Sequence, residues 1–463
     1  MITSRYAPHL FTLLATVASG IVSGTAYSAD AFAVDFRQTP SGPNNHIESI
    51  ELVDGLRGQI AELELEHGSF DLVLLEPLQS LTQALIEIGE FGSADTLLNR
   101  RLQLLRSESG LSNPEQIPII EEIIKNSMRL GNWKTVQRQY EHILWLRKQD
   151  ANADVNQVLE AMDDVAHWNM AMVSLDHPRN RTQNFLDARE LQRDIVRVAE
   201  KEFGDNSFAL VPWLYKQALN QHRLLAFLAS DDELSYDARE DILMKEALSG
   251  ADYLRSGLHI IYRIEEIAGR MNDLEAEAMA RIYAADFQFL LNLGTSIAVY
   301  GEAVELLEQA GVSQDRIRTF FDRPVILPVD QFFFRLDDAI AHQQRRDDIL
   351  DQLTGDADNW EGVNLGGFVA WNESLRFAQQ PPLPSLAEGV IDMNLNVVEA
   401  RFSVSAKGFS TIPDILASDP DNIRARTDAR DAIASLPFRP PIVDGRPRRS
   451  EEILLRFAYP PPL

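Results

Sequence analysis

The chain has 463 residues and no cysteine, and its 70 acidic and 43 basic residues give a net charge of −27. This strongly negative charge argues against binding to nucleic acid and to anionic lipid headgroups. The lack of cysteine excludes disulfides, thiolate metal sites and a lipid-modified N-terminus. These properties predict an acidic protein with no lipid tether and no nucleic-acid partner.

The N-terminus has the parts of a secretory signal. Arg5 precedes an apolar stretch from Leu10 to about Val22, and small residues suited to signal cleavage follow. We expect residues 1–29 to be a cleaved signal peptide, so that the mature protein has no integral membrane span. We expect residues 30–69 to be a partly ordered linker.

An uncleaved inner-membrane anchor is the alternative interpretation of this N-terminus. Gly20 and Gly24 leave an apolar stretch that is short for a membrane span. Cleavage is therefore the preferred prediction.

From residue 70 to residue 311 the apolar pattern predicts helical hairpins. Gly89-Glu90-Phe91 and Gly131-Asn132-Trp133 lie 42 residues apart, and each ends one helix and opens another. Further copies of the pattern are recognisable at 185–218 and 274–311. A helical hairpin exposes an apolar face, so repeated hairpins are expected to stack on one another.

This recurrence resembles the tetratricopeptide repeat, in a longer form of about forty residues. The resemblance implies a mainly α fold, a tetratricopeptide-like α-solenoid whose concave surface binds peptides or protein segments. Lys125, in the first helix of the second repeat, is a candidate to line that groove and meet a ligand carboxylate. A solvated lysine is the alternative. Trp133, Trp145 and Trp213 lie at helix starts or on apolar stripes and are predicted to be core residues.

Residues 312–388 are predicted to be a connector that is first helical and then rich in glycine and proline. The helical part is predicted near Leu336 to Leu353. Asp356, Asp358 and Glu361 do not have the spacing of the helix-loop-helix calcium motif, so the sequence predicts no calcium site there.

Residues 389–463 predict a small α+β domain. The residues from Val398 to Ala406 alternate between apolar and polar, which is typical of a half-buried strand. A short strand near Phe409 to Leu416 and an amphipathic helix follow, and Pro437 ends the helix. Asp444-Gly445 then predicts a tight hairpin turn before a last alternating strand.

Phe438-Arg439-Pro440, followed by Asp444-Gly445-Arg446-Pro447 and an alternating strand, resembles the C-terminal domain of the TonB family over residues 391–459. The resemblance implies a periplasmic location in Gram-negative cells. It also implies contact with outer-membrane receptors, through addition of a receptor strand to the sheet in the best-known members. The family usually has a Tyr-Pro pair before the first strand, where this chain has the sequence from Pro381 to Leu386.

The terminal hairpin carries a basic cluster in an otherwise acidic chain. Its members are Arg446, Arg448, Arg449 and Arg456. They would suit an acidic partner segment or cell-wall carboxylates. The alternative, of equal weight, is that they dock this domain onto the acidic helical repeats of the same chain.

The sequence contains no catalytic, phosphate-binding or dinucleotide-binding motif. Asp163-Asp164 near His167 could form a carboxylate and imidazole constellation, since a carboxylate can orient a histidine for base catalysis. Asp164 and His167 are helix neighbours, however, and an ordinary ion pair or a solvated helix face is the preferred interpretation. We therefore predict no catalytic residue, no cofactor and no metal site, and we do not expect an enzyme.

Together these features predict a periplasmic adaptor or scaffold of the cell envelope. Its helical-repeat groove and its TonB-like domain would each bind proteins of the envelope, with outer-membrane receptors or the cell wall as candidates. An energy transducer for outer-membrane transport is the alternative, and it requires the uncleaved N-terminal anchor.

Overall fold

The structure is a computed structural model that describes residues 43–175, 178–229, 240, 250–329, 331–343, 363–369, 396–419, 421–443 and 445–459. Contacts divide these residues into two compact units, an N-terminal unit up to residue 171 and a C-terminal unit from residue 172 onward. The predicted signal peptide lies outside the described residues, as does the acidic segment with Asp356 and Asp358. None of the described helices combines the length and apolarity that crossing a membrane requires.

The N-terminal unit consists of helices joined by short turns. They are α1 (Pro43–His67), α2 (Leu75–Glu87), α3 (Phe91–Ser109), α4 (Ile117–Arg129), α5 (Trp133–Gln149) and α6 (Val155–Leu175), whose last residues belong to the C-terminal unit. The helices α2 and α3 form one hairpin, and α4 and α5 form the next. These hairpins are the ones that the repeated glycines predict.

Helix α1 occupies much of the segment that the sequence predicts as a partly ordered linker. Its Val53 and Ile60 are buried in one cluster with Leu78 and Leu85 of α2. Burial of two large apolar side chains stabilises a helix that has little amphipathic pattern of its own. The ordered part of the chain therefore begins earlier than residue 70.

The turns explain the 42-residue period. Gly89 and Gly131 have φ of +82° and +66°, a left-handed conformation that glycine adopts without steric cost. Between hairpins, the side chains of Asp71 and Asn113 each accept a hydrogen bond from the backbone N–H two residues ahead, at 2.9 Å. These caps also lie 42 residues apart, so the turn within each hairpin and the turn between hairpins both recur with the same period.

The C-terminal unit continues the helical pattern. Its helices are α7 (Pro178–Phe203), α8 (Val211–Ala229), α9 (Gly250–Arg270), α10 (Leu274–Leu290), α11 (Ser296–Gln309) and α12 (Gln314–Phe321). Helix α8 packs against α9, and α10 packs against α11. The predicted hairpin at 274–311 matches α10 and α11, although Asn292 rather than Gly294 has the left-handed conformation, with φ of +55°.

Short strands and one helix follow. They are β1 (Val325–Ile326), β2 (Val363–Val369), β3 (Asn396–Phe402), β4 (Asp414–Asp419), α13 (Ile423–Ser435), β5 (Phe438–Arg439), β6 (Ile442–Val443), β7 (Arg446–Pro447) and β8 (Ile453–Tyr459). We call residues 396–459 the C-terminal region. Residues 336–343 are also helical, within the helix predicted there.

The main sheet has the strand order β2-β8-β3-β4. Strand β3 is antiparallel to both β8 and β4, whereas β2 is parallel to β8. Helix α13 packs on β3 and β4, and the core between them includes Val398, Phe402, Ile433 and Leu455. The short strand that the sequence places near 409–416 lies at β4, and β2 falls inside the predicted connector.

Gly408 lies where the C-terminal region meets α10. Its carbonyl accepts a hydrogen bond from the Phe438 N–H at 3.0 Å. A Cβ added to Gly408 would lie closer than 3.0 Å to the Phe438 carbonyl and to the ring of Phe289 on α10. Its φ is +74°, so both the backbone and the space around it require glycine.

We predict that Gly408→Ala lowers the free energy of unfolding of the C-terminal unit by about 2–4 kcal/mol, from backbone strain plus overpacking. Gly311→Ala is the matched control, because Gly311 has φ of +84° and open space around it. That control should cost only about 1–2 kcal/mol. Urea denaturation of the two variants makes the comparison, and equal losses would contradict the packing described for Gly408.

Candidate functional site

A segment without regular secondary structure crosses the helices of the C-terminal unit. We call residues 327–329 and 331–335 of this segment the strap. The Tyr215 hydroxyl of α8 donates to the Val329 carbonyl at 2.6 Å, and the Tyr283 hydroxyl of α10 donates to the Gln331 carbonyl at 2.8 Å. The helices α8 and α10 are the first helices of consecutive hairpins, and we call the surface they form the first-helix face.

Aromatic rings hold the strap in place. The ring of Phe332 lies 4.8 Å from that of Tyr283 and 5.7 Å from that of Tyr215, measured between centroids. Farther along, the ring of Phe334 lies 4.9 Å from that of Phe208. Phe332 is buried, so its apolar area is removed from water. The same tyrosines therefore bind the strap backbone through their hydroxyls and a strap side chain through their rings.

Charged groups fix the far end of the strap. Arg335 donates two hydrogen bonds to the Asp273 carboxylate, at 2.6 and 2.7 Å, and the Leu336 N–H donates to Glu275 at 2.9 Å. The hydrogen bond from Arg335 lowers the pKa of Asp273, and burial opposes it only in part. A carboxylate held in this way prefers a cationic partner, and the bidentate geometry selects arginine.

The N-terminal end of the strap follows β1, and β1 contacts the C-terminal region. Strand β1 pairs antiparallel with β5, with Val325 opposite Arg439 and Ile326 opposite Phe438. The Leu327 N–H continues this pairing by donating to the Pro437 carbonyl at 2.9 Å. The Phe-Arg-Pro motif is thus part of a two-stranded contact with the segment that follows the helices.

A buried ion pair lies at this contact. Arg439 Nε donates to Asp286 Oδ1 at 2.8 Å, Arg439 Nη2 donates to Oδ2 at 2.5 Å, and the Tyr300 hydroxyl donates to Oδ1 at 2.6 Å. All three side chains are almost completely buried. The Arg439 guanidinium also lies over the Phe320 ring, 5.0 Å from its centroid. We call Arg439, Asp286, Tyr300 and Phe320 the junction.

Electrostatics at the junction favour the charged pair. Burial alone would lower the pKa of Arg439, but the charge and hydrogen bonds of Asp286 raise it above its ordinary value. Burial, followed by the neighbouring Asp286 charge, raises the pKa of Tyr300 well above its ordinary value. Arg439 therefore remains charged and Tyr300 remains a neutral hydrogen-bond donor, which makes the junction a fixed structural contact.

The predicted basic cluster lies outside this contact. Arg446, Arg448 and Arg449 are exposed, and the register of β8 places Arg456 opposite Glu399 of β3. One hypothesis is that the cluster docks the C-terminal region onto the helices of the same chain. In the structure, the buried ion pair at that contact is formed by Arg439, which is not a member of the cluster. A role of the four arginines in binding a partner stays a prediction.

Lys125 lies on α4, a first helix, and is half-buried. Burial raises the pKa of the neighbouring Glu121, and the charge of Lys125 acts in the opposite direction. Lys125 therefore has a carboxylate of its own chain close by. Whether it also meets a ligand carboxylate stays a prediction.

Trp145, on the second helix α5, does not have its predicted role as a core residue. Trp145 is 42% exposed, and its ring stacks on His142 with centroids 5.5 Å apart. Burial, together with the nearby Arg106, lowers the pKa of His142. Trp145 is thus a surface residue rather than the core residue its apolar stripe predicts, whereas Trp213 is buried as predicted.

Asp163 and His167, the carboxylate and imidazole considered on α6, have buried side chains rather than solvated ones. His167 Nδ1 lies 3.5 Å from Asp163 Oδ1, and both side chains are less than 8% exposed. Asp163 lies one helical turn from His167, and the adjacent Asp164 is half-buried. A polar cleft of about 400 Å³ elsewhere is lined by charges that pair with one another, such as Glu200 with Arg263 at 2.5 Å. Among the described residues no group of acidic or histidine side chains is arranged to hold a metal ion.

We predict that Arg439→Met lowers the free energy of unfolding by about 3–5 kcal/mol, because it leaves the Asp286 carboxylate buried and unpaired. The double variant Arg439→Met/Asp286→Leu should lose far less free energy of unfolding than the two single variants lose in sum, since the double variant has no buried charge. Arg401→Met is the control, because Arg401 pairs with Asp414 at the surface and should contribute about 1 kcal/mol or less. Equal losses for Arg439→Met and Arg401→Met in urea denaturation would rule out the junction as described.

No protein family model matches the chain, and no curated protein matches it. A crystal structure of a Podosopora anserina putative kinesin light chain with nearly identical TPR-like repeats is 15% identical, covering 46% of this chain and 86% of that chain with a TM-score of 0.30. A variant of it is 17% identical over 46% and 96%, with a TM-score of 0.29. The structure of BtubC (BKLC) from P. vanneervenii is 12% identical over 58% and 92%, with a TM-score of 0.28.

Proposed function

We propose that this protein is an adaptor of the Gram-negative cell envelope that binds extended segments of other proteins on the first-helix faces of its helical repeats. The C-terminal region, joined to the last hairpin, binds a second envelope protein. The protein is exported to the periplasm by a cleaved signal peptide and performs no catalysis.

The strap is the observation that carries this proposal. The first-helix face of the C-terminal unit already holds a polypeptide segment without regular secondary structure, through the Tyr215 and Tyr283 hydroxyls on its carbonyls and through aromatic rings on Phe332. Hydrogen bonds to backbone carbonyls tolerate many sequences, while the ring contacts and the Asp273 carboxylate select aromatic and arginine side chains. Such a surface is suited to binding protein segments.

In the N-terminal unit the corresponding face is formed by α2 and α4. Helix α2 exposes Gln79 and Gln83, and α4 has Glu121 and Lys125 half-buried on its surface. Glu121 is half-buried, so this surface is partly desolvated, and that burial raises the pKa of Glu121. Partly desolvated charges interact more strongly with a ligand than fully hydrated ones do, so this face is suited to a segment that carries charges of both signs.

Two features support a location in the periplasm. The order β3, β4, α13, β8 and the antiparallel pairing of β3 with β8 agree with what the TonB resemblance implies. The exposed Arg446, Arg448 and Arg449 form a basic surface that would attract an acidic partner segment or cell-wall carboxylates.

We predict that a photo-crosslinking residue at Gln83 or Lys125 captures a partner protein in living cells. The matched control is Gln103, which is exposed on the second helix α3 and should give no such product. Lys125→Glu should reduce the yield at Gln83 severalfold by reversing the charge of the face, whereas Lys148→Glu on α5 should not. Mass spectrometry identifies the products, and equal capture from Gln83 and Gln103 would contradict a first-helix binding site.

The mass of the protein isolated from the envelope distinguishes an adaptor from a membrane-anchored energy transducer. We expect the mature chain to lack about 28 N-terminal residues, because the segment after Arg5 has the pattern of a cleaved signal. Intact-protein mass spectrometry of the envelope fraction gives this value directly. A full-length mass, with the protein extracted only by detergent, would favour the transducer.

A further inference from the structure

Helix α5 of the N-terminal unit has an exposed face with a tryptophan at its centre. Trp145 is 42% exposed, although tryptophan is a highly buried residue on average. The exposed residues Lys134, Arg138, Glu141 and Lys148 follow the same face, because they are spaced by four and three residues from one another and from Trp145. We call these five residues the α5 stripe. The buried side chains of α5 lie on the other faces of the helix.

Contacts within the unit fix the orientation of the Trp145 ring. The indole stacks on the His142 ring, with 11° between the two planes. His142 Nε2 accepts a hydrogen bond from Arg106 Nη2 at 2.9 Å, and Arg106 Nε donates to the Gln116 side chain at 2.7 Å. A side chain that is already immobilised loses little conformational entropy when it binds. An exposed, rigid tryptophan is therefore suited to the centre of an interface.

The charge of α5 is opposite in sign to that of the whole chain. Helix α5 carries four basic residues and one acidic residue, whereas the chain has a net charge of −27. Two copies of so acidic a chain repel each other over most of their surfaces. A contact between copies therefore requires a basic surface on one copy that meets an acidic surface on the other. Helix α5 supplies the basic surface.

Helix α1 supplies a matching acidic surface. Residues 50–67 of this helix include five acidic residues and one arginine. One exposed face consists of Glu51, Gly55, Gly58, Glu62 and Leu65, again spaced by four and three residues. We call these residues the α1 stripe. Leu65 is 89% exposed, so the stripe also offers apolar area that a partner could bury.

Two glycines leave room for a large ring at the middle of the α1 stripe. A Cβ added to Gly55 or Gly58 would meet no atom within 4 Å. Glycine in a helix interior is less stable than alanine, and the space around these two residues would admit alanine. Glycine does, however, allow the close approach of another element to the backbone. The α1 stripe is thus suited to receive a bulky side chain from a neighbouring helix.

The two stripes match in the order of their groups. On α5, Trp145 lies between Arg138 and Lys148, about 10 Å and about 5 Å away along the helix axis. On α1, the two glycines lie between Glu51 and Glu62, each about 8 Å from the midpoint of the glycines. When the indole lies over the glycines, opposite charges meet on both sides of it in either relative direction of the helices. Long side chains span the remaining differences in position.

We propose that the α5 stripe of one copy of this chain binds the α1 stripe of a second copy, so that the protein self-associates head to tail through its N-terminal unit. The two surfaces differ, so each bound copy keeps one α1 stripe or one α5 stripe for a further copy. Such a contact closes into a ring or continues as an open chain. A row of copies presents several first-helix faces together, which raises the avidity for a partner that has several binding segments.

Two variants of the full chain each remove one stripe. Gly55→Gln/Gly58→Gln fills the space on α1, and the fold is retained because glutamine favours a helix more than glycine does. Trp145→Ala/Arg138→Glu removes the ring and reverses one charge of the α5 stripe, and both positions are exposed. Analytical ultracentrifugation measures the association of each protein over a range of concentrations.

We expect the average mass of the wild-type chain to rise with concentration beyond that of a dimer. Each variant alone should associate at least about tenfold more weakly, because it lacks one of the two surfaces. The equimolar mixture of the two variants is the decisive sample. It has one intact α1 stripe and one intact α5 stripe, so it should form a one-to-one dimer and nothing larger.

The matched controls are Gly92→Gln and Lys201→Glu. Gly92 is an exposed glycine of α3 with open space around it, and Lys201 is an exposed basic residue of α7. Both control variants should associate as the wild type does. A monomeric wild type, variants that associate as strongly as the wild type, or a mixture that stays monomeric would each overturn the proposal. So would loss of association in only one of the two stripe variants, since like surfaces would then be in contact.

Self-association through these stripes does not require any of the partner contacts proposed above. The crosslinking positions Gln83 and Lys125 lie on the first helices α2 and α4, outside both stripes. Failure of the copies to associate would therefore leave the crosslinks at these positions unchanged. Failure of the crosslinks would likewise leave the ultracentrifugation result unchanged, so the two proposals can be tested separately.

Discussion

The ion pair between Arg439 and Asp286 is the interaction on which the arrangement of the C-terminal unit depends. Removing two charges from water costs several kcal/mol for each ion, and only well-placed partners offset this cost. The guanidinium makes two hydrogen bonds to one carboxylate, the Tyr300 hydroxyl donates a third, and the Phe320 ring lies under the cation. Such a pair tolerates little displacement, because a shift of either element would leave a buried charge without a partner. It therefore fixes the position of β5 on α10.

Other contacts converge on the same place. Strand β1 pairs with β5, Gly408 leaves room for the backbone of Phe438 and the ring of Phe289, and the strap continues from β1 across α8 and α10. An isolated domain would not need these contacts. The Phe-Arg-Pro motif belongs to the sequence that resembles an independent binding domain. In this chain the motif joins the C-terminal region to the helices. The exposed Arg446, Arg448 and Arg449 lie outside these contacts.

The regular parts of this structure were predictable, and the specific contacts were not. The spacing of Gly89 and Gly131 predicts the hairpins because a left-handed turn has a strong local signature, and alternation from Val398 predicts β3 for the same reason. Burial of Arg439, by contrast, depends on Asp286, which is 153 residues away in the chain, and no local pattern records that pairing. The helical stripe of Trp145 predicts a core residue, but the stripe does not specify which face a neighbouring helix covers, and Trp145 stacks on His142 at the surface. The caps at Asp71 and Asn113 had a visible signal in their 42-residue spacing.

Native-state hydrogen exchange across a series of low denaturant concentrations tests most directly whether the junction makes the C-terminal region and the last hairpin one cooperative body. If it does, the amides of β3, of β8 and of α10 share the same free energy of opening and the same dependence on denaturant. This is the result that the buried Arg439–Asp286 pair predicts. If β3 and β8 instead open together at a lower free energy while α10 stays protected, the C-terminal region is an independent module, and the Arg439–Asp286 pair does not couple it to the helices.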